Sequence, residues 1–114
     1  MKLAIFGLTV SSSWGNGHAT LWRGLIRALA AVGHEVLFYE RDVPWYARHR
    51  DVTELPGANL IIYRDWQDVA ARAADFLDAD ALFVTSYCPD AIAASRLAAE
   101  QGRGLRIFYD LDTP

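Results

Sequence analysis

Lysine is almost missing from this chain: Lys2 stands alone, and arginine supplies ten of the eleven basic side chains. Cysteine and methionine also occur once each. With Cys88 as the single thiol, no internal disulfide can form, and a reducing, cytoplasmic compartment is expected. No apolar run approaches the ~18 residues needed to span a bilayer. Lys2 followed by Leu3 to Val10 faintly imitates a secretory leader, with Ser11-Ser12-Ser13 behind it. A capped helix continues directly afterwards, which a cleaved leader does not need. No Gly-Lys-Ser/Thr triplet exists, which removes a phosphate-binding P-loop. Basic residues never run beyond Arg48-His49-Arg50 and the formal charge is −3, so nucleic acid is not an expected partner.

What is present is a core. A hydrophobic fraction of 53% with 12% aromatics excludes a disordered chain, and 114 residues fit a single domain, 1–114. Five short apolar runs recur: Leu3–Phe6, Val36–Tyr39, Leu60–Tyr63, Ala81–Thr85 and Arg106–Tyr109. They are continuous rather than alternating, as strands buried on both faces of a parallel sheet are. Helical patterns separate them. Leu21, Trp22, Leu25, Ile26 and Leu29 form one stripe, and Gly24 inside it implies a close packing contact. Asp65 can cap a long helix with the stripe Trp66, Val69, Ala70, Ala73, Phe76 and Leu77. Pro89 suits the first turn of a further helix and Gly102 its end. Only Pro44–Arg50, a short helix, and the turn Leu55-Pro56-Gly57 break the regular alternation.

Strands alternating with helices predict an α/β fold, a Rossmann-like doubly wound parallel sheet of five strands in order 3-2-1-4-5 with helices on both faces. The first helix and Pro44–Arg50 should cover one face, and the helices near Asp65 and Pro89 the other. The first face should then be bare beneath strands four and five, which predicts a part of something larger. In such sheets ligands bind outside the carboxyl ends of strands where the winding reverses. The loops Leu8–Gly17 and Ser86–Pro89 flank that point.

The first loop carries the chemistry. Gly15-Asn16-Gly17-His18 opens the first helix, whose start presents unpaired N–H groups and partial positive charge to an anion. Ser13, Trp14, Gly15, Asn16 and Gly17 are the candidate substrate-binding residues there, joined by Ser86 and Tyr87 of the second loop and by Asp110. Serine hydroxyls and the flat face of Trp14 suit a sugar or phosphate, although serines also cap turns. His18 is the candidate catalytic residue, because imidazole titrates near neutrality and can take a proton from an attacking hydroxyl. Binding without catalysis is equally open to it.

Other signals are weaker. The glycines echo a dinucleotide fingerprint, but seven residues separate Gly7 from Gly15, where the fingerprint follows its strand at once. Glu40 stands where a ribose-binding acid would. An NAD(P)-binding oxidoreductase domain is therefore one alternative, and a non-catalytic ligand-binding domain another. Trp45 and Tyr46 can stack on sugars, yet aromatics in a short segment are more often packing residues. Asp110-Leu111-Asp112 reads as a turn rather than a metal site. Cys88 beside Pro89 reads as a small buried residue. No metal and no cofactor are expected.

The loop Ser11–His18, the element Gly33-His34-Glu35-Val36, the run Tyr39–Tyr46, Ser86–Asp90 and Phe108–Pro114 resemble bacterial glycosyltransferases of the two-Rossmann-domain (GT-B) fold. They are most similar to the subgroup that resembles a spore maturation protein. The resemblance implies a hexosyltransferase whose amino-terminal domain holds a sugar-containing or small-molecule acceptor. Its carboxy-terminal domain would hold the nucleotide-sugar donor, usually without an essential metal. Gly15, Gly17 and His18 would face the cleft between the two. The chain stops at Pro114, so the expectation is an amino-terminal domain that is inactive alone.

Overall fold

The structure, a computed structural model, describes residues 1–111. Five strands, β1 (Lys2–Gly7), β2 (Glu35–Arg41), β3 (Asn59–Tyr63), β4 (Ala81–Thr85) and β5 (Leu105–Tyr109), form one parallel sheet in the order β3-β2-β1-β4-β5. That is the order the alternation predicts. Central β1 pairs with β2 through Leu3–Val36 to Phe6–Tyr39, and with β4 through Leu3–Ala81 to Phe6–Val84. The chain crosses from one side of β1 to the other between β3 and β4, so the winding reverses beside β1.

Residue alternation along the strands sends two cores to opposite faces. On one face, Leu3, Ile5, Val36 and Phe38 pack under α1 (His18–Ala31) through its buried Trp22 and Ile26. On the other, Phe6 is the hub: Tyr39 stacks on it at 4.8 Å, and Phe76 and Trp66 meet it edge-on at 5.1 and 5.7 Å. The helices α3 (Trp66–Ala71) and α4 (Ala91–Gln101) lie on this second face.

The details depart from the sequence expectations in four places. The long helix after Asp65 stops at Ala71, because Arg72 leaves helical geometry (φ −111°, ψ 28°) and a 3₁₀ turn follows at Ala73–Asp75. Beyond the break Phe76 still packs edge-on against Phe6 and Tyr39. Second, α2 (Pro44–Ala47) covers neither face; it has no buried residue, and Val52, Leu55 and Ala58 behind it pack on the α1 side instead. Third, Gly24 is exposed and a Cβ there would meet nothing within 4 Å, so no close contact explains it. Leu21 and Leu25 are likewise each 37% exposed, which narrows the α1 stripe to Trp22, Ile26 and Leu29. Fourth, α4 begins after Asp90, not at Pro89.

Coverage thins toward β5. On the α1 side Ala81 is buried, Phe83, Ile107 and Tyr109 are half-buried, and Leu105 is exposed. Trp22 reaches across to Phe83 and Tyr109. Among the described residues no helix is long and apolar enough to cross a membrane.

Candidate functional site

Ten residues separate the end of β1 from the start of α1, and groups from the end of β2 and from the segment after α2 hold Val10 to Ser13 in place. Glu40 is fully buried. Its Oε1 accepts from the amides of Val10 (2.7 Å) and Ser11 (3.0 Å), and its Oε2 from the Ser11 hydroxyl (2.5 Å). Arg50 donates to the same hydroxyl at 2.9 Å and sits 3.8 Å from the carboxylate, so the buried charge is compensated. A carboxylate used in this way is not available to a ribose.

The strand period of two then explains the acid-arginine-acid run. Asp42, on the Glu40 side, pairs with Arg50 at 3.2 Å. Arg41 points the other way and donates to both carboxylate oxygens of Asp90, which also accepts from the Tyr63 hydroxyl at 2.9 Å. These side chains brace the loops at the carboxyl ends of β1, β2 and β4.

The serines follow the same logic. Ser11 and Ser12 are buried, and the Ser12 hydroxyl donates to the His49 carbonyl at 2.8 Å. The Ser13 hydroxyl donates to Asp51 at 2.9 Å, and Arg23 of α1 holds the same carboxylate at 2.6 Å. That guanidinium keeps the Asp51 carboxyl well below the usual carboxylate range. Asn16 caps α1: its Oδ1 accepts from the Ala19 amide at 3.1 Å, while its Nδ2 donates to the carbonyls of Ser12 and Trp14. Gly15 supplies the left-handed turn before the cap, with φ +68°. Gly17 is exposed, has an ordinary φ of −94°, and would have open space around a Cβ.

His18 lies at the first helical position and is only 4% exposed, with its Nδ1 enclosed and lacking any hydrogen-bond partner. Trp22, one turn later on the same face, also has a buried and unpartnered Nε1. Buried polar atoms left unpaired cost about 1–3 kcal/mol each. Tyr87 meets the His18 ring edge-on at 5.7 Å. It is 55% exposed and has φ +62°, the only non-glycine in the left-handed region among the described residues. A bulky residue held there is strained, and such strain concentrates at functional sites. No local sequence signal announces it.

The remaining candidates divide. Ser86 is buried, and its hydroxyl exchanges hydrogen bonds with the backbone of Leu111, at 2.7 and 2.6 Å. Asp110 is exposed just past β5, and Asp112 lies outside the described residues, as do Thr113 and Pro114 of the resemblance. Cys88 is buried, and burial pushes its thiol up to about 11, so it stays protonated. Among the described residues no group of three metal-ligating side chains assembles.

A cavity of 430 Å³ opens elsewhere, between β3 and α3, lined by Ile61, Tyr63, Val69, Arg72 and Asp75. Two of its charged groups pair with each other, Arg72 donating to Asp75 at 3.2 Å, while Arg64 and Asp68 also line it. The loops at the carboxyl ends of β1 and β4 differ in holding a buried nitrogen, His18 Nδ1, that the protein itself does not satisfy.

Fold and site together define a Rossmann-like α/β domain whose polar, incompletely satisfied end lies where the sheet winding reverses. Comparison with protein-family models, with curated proteins and with solved structures finds no match to this chain.

Proposed function

We propose that this domain is the acceptor side of a nucleotide-sugar-dependent glycosyltransferase, with His18 as the residue that takes the proton from the acceptor hydroxyl. The carrying observation is His18 itself: a nearly enclosed imidazole with an unpartnered nitrogen, at the first turn of α1 and against the strained Tyr87. A polar group buried without a partner costs stability, and an imidazole at the start of α1, beside the point where the winding reverses, is the group here with the chemistry to meet a ligand. Its imidazole has the chemistry of a general base for a sugar or small-molecule hydroxyl. The partially positive start of α1 would offset charge on a departing nucleotide diphosphate. That nucleotide-sugar would be presented by a second, donor-binding domain.

The oxidoreductase alternative loses support from Glu40. The acid at the end of β2 is consumed by Val10 and Ser11 rather than facing a cofactor ribose. Saturation-transfer NMR of this chain with UDP-glucose, GDP-mannose, free hexoses and NAD tests the reading. Sugar or nucleotide-sugar signals that weaken in His18→Ala support it. Selective NAD binding overturns it.

A further inference from the structure

The loop after β1 and the segment after α2 meet in an aromatic corner. Trp14 lies flat on the His49 ring, with centroids 4.2 Å apart and planes 9° apart. Trp45 stands across this pair, 4.9 Å from Trp14 at 64° and 5.5 Å from His49 at 65°. Both tryptophans remain 48% exposed, although neither is loose. The Ser12 hydroxyl holds the His49 carbonyl, the amides of Asp51 and Val52 donate to the Ser11 carbonyl, and the Trp14 carbonyl accepts from Asn16. Beside the corner, Ser13, Asp51 and Arg23 form a donor and acceptor rim.

Indole side chains carry the largest apolar surface of any residue, so two that pack edge-to-face and stay half in water offer an apolar face to an occupant. We propose that Trp14 and Trp45 form a platform for a neutral pyranose ring. A pyranose offers an apolar face of axial C–H bonds to an indole, and a rim of hydroxyls that both donate and accept. The carboxylate–guanidinium pair of Asp51 and Arg23 answers such a rim in both senses. A phosphate-bearing base would stack equally well but would meet the Asp51 carboxylate. Because Glu40, Ser11 and Ser12 anchor both loops, the corner is preformed and little order is lost on binding.

This inference deepens the acceptor-side reading and rests on it, giving the acceptor a chemical class. Its test needs no transfer reaction. Tryptophan fluorescence and saturation-transfer NMR on this chain, with methyl β-glucoside, cellobiose, maltose and AMP, read the platform directly. The expected result is saturable sugar binding, strongest saturation on axial protons, and about tenfold weaker affinity in Trp14→Ala and in Trp45→Ala. Trp45→Tyr, which keeps a stacking ring, should retain most of the affinity. Folding of each variant is checked by circular dichroism. Absent sugar binding, binding unchanged in both alanine variants, or AMP bound more tightly than every sugar would overturn the platform. Sugar binding at the corner with no His18-dependent nucleotide-sugar signal would instead sink only the transferase assignment.

Discussion

Glu40 receives both the amide and the hydroxyl of Ser11, at 3.0 and 2.5 Å, across 29 residues of chain. This contact ties the end of β2 to the loop between β1 and α1. Glu40→Ala would leave the buried amides of Val10 and Ser11 without their acceptor and remove one of the two carboxylates facing Arg50. The expected loss is about 3–5 kcal/mol, a large part of a small domain's total stability. Urea unfolding monitored by circular dichroism reads it. A loss under about 1 kcal/mol would show that the loop has another anchor.

His18 should behave in the opposite way. Its Nδ1 is enclosed and unpaired, so the apolar replacement His18→Leu removes an unmet hydrogen-bonding group. Stability should hold or rise by up to about 2 kcal/mol, while sugar or nucleotide-sugar signals in the NMR experiment fade. In a chain that carries a donor domain, His18→Ala should lower turnover more than melting temperature. Equal loss of both reassigns the residue to structure.

Three glycines separate by backbone geometry. Gly15 has φ +68°, so Gly15→Ala should cost roughly 1 kcal/mol of strain. Gly24 is exposed, mid-helix, and open around its Cβ position, so Gly24→Ala should add about 0.5–1 kcal/mol. Gly17 also has open space, so Gly17→Val should fold normally yet block a ligand at the start of α1. Thermal melts rank the first two; ligand titration of Gly17→Val reads the third, and unchanged affinity would remove Gly17 from the site.

Asp51 sets an acid limit on the loop. Its carboxyl is held below the usual range first by Arg23, with Ser13 adding to the effect. A depressed folded-state value means that this stabilisation is present above the unfolded value near ~4 and is lost as pH falls toward the folded value. The pair is partly exposed, so Asp51→Asn should cost under about 1 kcal/mol at neutral pH. The gap between wild type and variant should close below about pH 4 in parallel thermal melts. A gap independent of pH would assign the contact to packing alone.

The sheet was readable because its signal is local and repeated. Continuous apolar runs separated by helical periods identify parallel strands, and right-handed crossovers leave few orders to choose from. The cap at Asp65, which accepts from the Gln67 amide at 3.0 Å, is equally a neighbourhood matter. The long helix after Asp65 was misread for the same reason. No helix-breaking residue lies near Arg72, and the break there shows only in the folded chain.

The site divides along the same line. From residue order alone came the loop after β1, the turn glycine and a histidine at a helix start, since turns and caps depend on side chains a few positions apart. Tertiary structure decided which of those groups remain for a ligand. Contacts across 29 to 39 residues consume Ser11, Ser12 and Ser13 and turn Glu40 inward. The same folding brings Trp45 and His49 to Trp14 and sets a strained Tyr87 over His18. A linear chain states which hydrogen-bonding groups exist, but only their arrangement in space determines which find partners within the protein.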